Sequence, residues 1–372
     1  MPTVADIIKI IEKMAPRRLA EEWDNVGLHF GDPDWPVSTV FVSLDPSLAA
    51  LEAAASAGAE MLVTHHPLIF RPVKHIRLNT PFGKTIDFAA RNRMAVYCAH
   101  TNLDATDGGV NDALAEAIGL KVSGPLAPAP EADRFKLVVF VPPADAEKIF
   151  AAVWEVCSGQ IGKYRQCAFH NTGTGRFVPG EGSRPHTGTA GTPVRTEEIR
   201  IEIPVQKGDI DAVISRIKAV HPYETVAYDV YPLFGDQSDN GIGRIGEFSE
   251  TRTLEQVAAA VRQTLGLAVV KVAGPVGLEI KKAAVCSGSG ASMAGAFLSS
   301  GAQLYISGDM NHHAALDIAA AGLGLIDIGH FASERVIVPV LGDRIAQAAQ
   351  RMGIPVRVIP WRDEPDPFRP VF

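Results

Sequence analysis

Three short stretches of this sequence end greasy runs in groups that bind metals or move protons. "EMLVTHHPLIF" delivers His65 and His66 side by side. "AHTNLDA" supplies His100 and Asp104. "IDIGHFASE" supplies His330 and Glu334. A helix starting near His330 would put the last two on one face, since residues four apart are neighbours there. His65 and His66 need the opposite: neighbours in an extended chain point to opposite faces, so both serve one site only where the strand breaks, as Pro67 signals. Each fragment alone has a plain structural reading: a core histidine pair, a helix cap, a solvated ion pair. Together, three imidazoles (His65, His66, His330) and two carboxylates (Asp104, Glu334) exceed the three protein ligands of an ordinary catalytic zinc. Five, with carboxylates able to bridge, suit two divalent ions about 3.5–4 Å apart, which would acidify a shared water. The mixed nitrogen and oxygen set fits zinc, iron, manganese or cobalt. His100 or His313 then becomes the candidate catalytic acid or base, because imidazole titrates near neutral pH.

Other stretches join this list with weaker signals. "SGDMNHHAALD" adds Asp309, His312 and His313, and "WDNVGL" adds Asp24, which an Asx-turn explains more simply. "CSGSGAS" places Ser287, Gly288, Ser289 and Gly290 between a strand and a helix, where backbone N–H groups can face an anion. It lacks the GKS/T of a P-loop. Its candidate role is to bind the phosphate or carboxylate of a substrate.

The elements that must position these residues are alternating strands and helices. "TVFVSLD", "EMLVTHHP" and "MAVYCAHTN" read as strands. The Ala-rich 46–59, "FGKTIDFAARNR" and "GVNDALAEAIG" read as helices. Residues 4–14 put Val4, Ile7, Ile8 and Ile11 on one helical face. This rhythm predicts a mostly parallel sheet with helices packed on it, whose sites form at the carboxyl ends of the strands. The rhythm breaks at the Pro-rich "GPLAPAPEAD" and resumes near 239 with "KKAAVCSGSG", "AQLYISGD", "LGLIDIGH" and "IPVRVIP". The helical 334–353 is interrupted at Pro339. Between the two stretches the order is β-α-β-β-α-β, a ferredoxin-like pattern. The expectation is a discontinuous α/β body from residues 1–125 and 239–372, with a ferredoxin-like α+β domain, 126–238, inserted. "HPYE" at 221–224 reads there as a structural turn.

Composition sets outer limits. The 372 residues carry a net charge of −7 and a pI near 5.9, with no Lys/Arg run, which argues against nucleic acid as a main partner. Cys98, Cys157, Cys167 and Cys286 form no CxxC, so free thiols of a cytoplasmic protein are expected rather than disulfides. No apolar run approaches the roughly 20 residues of a membrane span, and the N-terminus does not read as a signal peptide.

In their order, "WDNVGL", "LVTHHPLIF", "AHTNLDA", "SGSGAS", "SGD…HHAALD" and "IDIGHFASE" resemble the Nif-three-like (NGG-one interacting factor three-like) family. Its bacterial long forms are labelled GTP cyclohydrolase 1 type 2 homologs. The resemblance implies a dinuclear metal site on His65, His66, Asp104, His330 and Glu334, with polar positions matching His100 and, more loosely, His313. It implies that the insert resembles CutA and PII-like proteins, and that the chain assembles as a toroidal homohexamer. The function expected from site and resemblance together is metal-dependent hydrolysis of a nucleotide or phosphorylated small molecule, either GTP ring opening or phosphoester cleavage. The alternative is a non-enzymatic, metal-handling or regulatory assembly with a ligand-sensing insert.

Overall fold

The computed structural model describes residues 1–129, 134–161, 164–233, 239–369 and 371. The first stretch supplies strands β1 (Gly27–Phe30), β2 (Thr39–Ser43), β3 (Met61–Thr64), β4 (Ala95–Cys98) and β5 (Lys121–Pro128). Residues 134–233 supply β6 (Arg134–Val141), β7 (Phe169–Phe177), β8 (Val194–Gln206) and β9 (Tyr228–Pro232). The last stretch supplies β10 (Gly241–Thr253), β11 (Lys271–Ala273), β12 (Glu279–Ser289), β13 (Leu304–Gly308), β14 (Gly324–Asp327) and β15 (Arg357–Pro360). The chain divides into two units, one of Met1–Ala129 with Ser238–Phe372 and one of Pro130–Gln237. The expected boundary at 238, and the end of the Pro-rich stretch, lie outside the described residues.

The discontinuous unit holds two sheets where the sequence suggests one. The first runs β1-β4-β3-β2-β15 and the second β11-β14-β13-β12-β10-β5. Each has a parallel centre with antiparallel strands at its margins: β2, β3, β4 and β15 are parallel with β1 antiparallel, and β12, β13 and β14 are parallel with β5, β10 and β11 antiparallel. The long β10–β5 ladder escapes a sequence reading because Pro125 and Pro128 make β5 look like linker. β5 is an edge strand, where a missing N–H costs no central ladder bond.

Helices cover both faces of each sheet. On the first, α1 (Val4–Met14) lies opposite α2 (Leu48–Ser56) and α3 (Pro81–Arg91). Helix α1 buries Val4, Ile7, Ile10 and Ile11, a stripe at helical spacing, against Val40, Val42 and Val63. Helix α2 begins at its Ser47 cap, which accepts from the Ala50 N–H. Two-sided cover explains why Met61–Thr64 and Ala95–Cys98 are buried at every position and read as unbroken apolar runs. α4 (Thr101–Ala105) and α5 (Val110–Ala117) follow β4.

The Pro130–Gln237 unit has a four-stranded antiparallel sheet, β7-β8-β6-β9. Helices α6 (Ala146–Trp154) and α7 (Ile210–Val220) pack on one face, burying Ile149, Val153, Val213 and Ile217 against Leu137, Val139, Ile201 and Ile203.

The second sheet of the larger unit is flanked by α8 (Leu254–Thr264), α9 (Ala294–Ser299) and α10 (His312–Ala320). Two further helices, α11 (His330–Glu334) and α12 (Ile337–Arg351), end the helical series. The break between them falls at Arg335–Val336, not at Pro339. Pro339 sits in the first turn of α12, where a helix has no partner for the N–H that proline lacks. No helix among the described residues is long and apolar enough to cross a membrane.

Candidate metal centre

The carboxyl ends of the parallel strands meet where the expected ligands lie. β3 stops at Thr64, one residue before the histidine pair, so strand alternation no longer separates His65 from His66. Their ring centroids are 5.1 Å apart. Helix α11 carries His330 at its first position and Glu334 one turn on, after Gly329, whose φ of 81° suits glycine. Glu334 is 3% exposed and sits among the imidazoles. Its Oε2 lies 2.9 Å from His66 Nε2 and 3.1 Å from His330 Nε2, and its Oε1 lies 3.6 Å from His65 Nε2. Asp104, on α4, approaches His65 Nε2 at 3.8 Å and accepts from the Ser287 hydroxyl at 3.3 Å, so it faces the site instead of capping a helix. The five expected ligands are thus brought together.

The rings are fixed from behind. His65 Nδ1 lies 3.0 Å from the Ala99 carbonyl, His66 Nδ1 2.8 Å from Asp45, and His330 Nδ1 2.8 Å from Asp309. Tying each Nδ1 to an acceptor leaves the three Nε2 lone pairs for the centre, the arrangement that orients metal-bound histidines. His65 Nε2 and Glu334 Oε2 are buried without a hydrogen-bond partner among the described residues. The short Nε2–Oε2 distances around Glu334 are those of ion pairs with protonated rings. Three nearby sets among the described residues, His65–His66–His100, His66–His330–Glu334 and His65–Asp104–Glu334, have ligand atoms spaced to hold an ion.

Charge is concentrated here. Burial opposes the charge on His66, but Asp45 and Glu334 outweigh it and push its pKa up to about 10. Glu334 and Asp309 raise His330, against burial and His66, to about 9. Burial works against ionised Glu334 too, yet His65, His330 and His66 hold it well below the usual carboxylate range. Burial raises the Asp104 carboxyl; His65 opposes this and Glu334 adds to it.

His100 stands at the rim, its ring 5.2 Å from His65 and 5.8 Å from His66, with Nδ1 2.9 Å from Asp24. Asp24 also accepts the Thr101 N–H and hydroxyl, so it anchors the start of α4 and serves as more than a local turn. His313 is not part of this gathering. The Asn311 cap sets the first turn of α10 so that His312 and His313 are exposed, and the ring contact of His313 is with His312. The acid–base candidate that the geometry retains is His100.

The "SGSG" loop is used differently from an anion cradle. The Ser287 N–H donates to Asn111 Oδ1 and the Gly288 N–H to Ser333 Oγ, each at 2.8 Å, so both amides are spent internally. The Gly290 carbonyl accepts from the Tyr305 hydroxyl, while Ser289 closes β12. Gly288 has φ 63°, and a Cβ there would lie 2.2 Å from Glu334 Oε1. Glycine is needed at 288 to admit the carboxylate.

Of the two carboxylates behind the rings, Asp309 is named by the sequence in "SGDMNHHAALD", whereas Asp45 is passed over. Asp45 ends "TVFVSLD", and the rule that sites collect at strand ends would have found it. Asp309 follows β13 in a left-handed conformation, φ 47°, uncommon outside glycine. Asp45→Asn or Asp309→Asn should weaken zinc binding about 10–100-fold, the usual cost of losing a partner behind a ligand. Chelator competition measures it, and unchanged affinity in both variants would show that these contacts do not orient the ligands.

Comparison with known proteins places the whole chain in one group. Residues 2–367 match the family model described as Duf34/NIF3 (NGG1p interacting factor 3). A protein of Halalkalibacterium halodurans named "GTP cyclohydrolase 1 type 2 homolog" is 35% identical over 362 residues, covering 97% of both chains. A Bacillus subtilis protein of the same name is 37% identical over 328 residues, covering 88% of both. Among solved structures, a Bacillus cereus protein related to NIF3 superposes with TM-score 0.82 at 37% identity, over 100% of this chain and 99% of that one. A Staphylococcus aureus protein superposes with TM-score 0.85 at 28% identity, over the same shares.

Proposed function

The chain belongs to the Duf34/NIF3 family, and we propose that its imidazole–carboxylate cluster holds two divalent ions and serves hydrolysis of a nucleotide or similar phosphorylated small molecule. The observation that carries this reading is the convergence of three imidazoles, already oriented through Nδ1, on the buried Glu334 carboxylate, with His65 Nε2 buried and without a hydrogen-bond partner among the described residues. Unpaired polar atoms cost free energy when buried, and a cation removes that cost. His65, Asp104 and Glu334 would hold one ion and His66, His330 and Glu334 the other, with Glu334 shared. Zinc, iron, manganese and cobalt all accept this donor set.

Such a pair of ions, when bound, supplies Lewis acidity and acidifies water. The remaining work falls to the chain. Asp24 fixes the His100 ring, which is then positioned to take or return a proton at Nε2. Ser287 and Asn111 hold Asp104 and its loop in place. The name carried by the relatives makes GTP the first substrate to test. Metal-loaded protein given GTP should show loss of purine-ring absorbance if the ring opens, or free phosphate if a phosphoester is cut. Neither signal with zinc, manganese, iron or cobalt would dismiss GTP as substrate.

Metal loading should depend on pH in a calculable direction. Without metal, His66 and His330 keep protons at neutral pH, since their pKa values lie near 10 and 9. A metal must displace them, so affinity should climb from pH 7 to 9 with release of about two protons per chain. The metal-free fold responds in the opposite sense. The stability contributed by these raised values is fully present below about pH 6.5 and is lost as pH rises through 9 and 10. Calorimetry in buffers of different ionisation enthalpy counts the protons. An affinity flat from pH 7 to 9 would rule out those protonation states.

The same reading takes Pro130–Gln237 as a ferredoxin-like insert of the CutA/PII-like kind, supported by its β-α-β-β-α-β order and the strand sequence β7-β8-β6-β9. It takes the chain as a toroidal homohexamer. Light scattering should then give a mass near six times the 39.7 kDa of one chain. A monomer or dimer mass would remove the hexamer from the account.

A further inference from the structure

The stretch "WDNVGL" opens on a residue that the cluster does not use. Trp23 is 59% exposed and Phe70 47%, and their rings meet edge to face, 5.8 Å apart and 68° from parallel. They form an open corner of two large aromatic faces. Rings of this size are mostly covered in a folded chain, and an exposed apolar patch marks a place that binds something. The corner adjoins the cluster: the Trp23 ring lies 6.1 Å from that of His100, which lies 5.2 Å from that of His65.

The corner is built before anything binds. The turn that carries Trp23 is tied to α4, because the Glu21 N–H donates to the Thr101 hydroxyl and Asp24 accepts the Thr101 N–H. The segment that carries Phe70 is tied to the same turn. Asn25 Nδ2 donates to the Ile69 carbonyl, and the Ile69 N–H donates to His29 Nδ1, whose other ring nitrogen lies 2.9 Å from the Asn25 carbonyl. Bonds to the backbone on both sides thus set the two rings in advance, which lowers the ordering cost of binding.

Two features say what the corner takes. Paired aromatic faces favour a flat ring, and every nucleobase has a π-face to stack. Charge says what is attached to that ring. From Met61 to Ile86 the chain carries Arg71, Lys74, Arg77 and Lys84 and no acidic residue, although its net charge is −7. Positive charge following His65 and His66 attracts an anion toward the cluster. On the Trp23 side stand Glu21 and Glu22, both exposed, which disfavour the anionic end of a ligand at the corner itself. Between corner and cluster lies one five-membered ring, that of His100. A pentose is a ring of the same size.

We propose that Trp23 and Phe70 form the base-binding corner of the substrate site, with a purine ring stacked there, the ribose along His100 and the phosphate toward the ions. The inference rests on the reading of the cluster as a metal centre and adds the orientation of the ligand. It keeps the purine ring, the end that ring opening would need at the ions, away from them.

The test is calorimetric titration of zinc-loaded full-length protein with GMP and with ribose 5-phosphate, zinc content being measured on the same samples. GMP should bind about tenfold more tightly or better, the usual worth of one base stacked on an aromatic side chain. Trp23→Ala should bring GMP down to the affinity of ribose 5-phosphate, while its zinc content, melting temperature and affinity for ribose 5-phosphate match the parent. Trp23→Phe should keep most of the preference, because it keeps a stacking face. Equal affinities of the two ligands in zinc-loaded parent would overturn the inference and leave the metal centre standing. So would a Trp23→Ala protein that still prefers GMP. A parent that holds no zinc would overturn the metal-centre reading, and this inference with it. A lower assembly mass for Trp23→Ala by light scattering would mean that a second copy of the chain covers the corner, and would overturn the inference alone.

Discussion

Glu334→Ala should leave a protein that folds but loses its metal, with zinc affinity lowered more than about 100-fold. Losing a partner behind a ligand already costs about 10–100-fold, and Glu334 is the group shared by the whole cluster. One oxygen lies 2.9 Å from His66 Nε2 and 3.1 Å from His330 Nε2, and the other 3.6 Å from His65 Nε2. No other carboxylate approaches all three rings among the described residues. Glu334→Gln keeps the shape and removes the charge, so it should fall between parent and alanine variant. Chelator competition and elemental analysis measure both. Affinity within tenfold of the parent in Glu334→Ala would show that the cluster is held together for another reason. Gly288→Ala offers a second route to the same outcome, because its methyl group would displace the Glu334 carboxylate while leaving every ligand in the chain.

Arg244→Met should cost about 3–5 kcal/mol of stability, the range for breaking one side of a buried ion pair. Arg244 is 1% exposed. It donates to both oxygens of Asp112, to the Gly241 and Gly243 carbonyls and to the Thr106 carbonyl, all at 2.7–2.8 Å. It thereby ties β10 to the segment joining α4 and α5, which carries the backbone beside Asp104. Methionine fills similar volume but leaves Asp112 and three carbonyls short of donors. The melting temperature should fall on the order of 10 °C. Adding Asp112→Asn should restore part of the loss by removing the stranded charge. A melting temperature within 2–3 °C of the parent, roughly 1 kcal/mol for a unit this size, would show that water replaces the guanidinium.

The clustered residues were legible in the sequence because His65 and His66 follow a buried strand, and Asp104, His330 and Glu334 lie on short helices that each follow one. "LVTHH", "AHTNLD" and "IDIGH" are abrupt changes from apolar to ionisable residues, and parallel strands deliver such ends to one edge. What the sequence hid came from contacts without local signals. The Leu44 and Asp45 N–H groups donate to Glu364 at 2.7 and 2.9 Å, a carboxylate some 320 residues away that fixes the backbone bearing the partner of His66. Nothing near Glu364 announces this. The "SGSG" loop misled because glycine serves two needs, bare N–H groups for an anion and space for a neighbour. Only the closeness of Gly288 to Glu334 identifies the second. His313 misled because adjacent histidines look alike in a sequence, whereas the Asn311 cap turns that pair outward. The split into two sheets was hidden by strand β5, whose prolines are tolerated only because it lies at an edge.

Anomalous diffraction from crystals of freshly purified protein, with elemental analysis of the same sample, addresses the dinuclear centre most directly. Two peaks per chain are expected about 3.5–4 Å apart, one against His65 Nε2 and Asp104, the other against the Nε2 atoms of His66 and His330, with Glu334 between them. Metal-free crystals grown with excess zinc, or a lone peak touching none of these five side chains, would contradict the account.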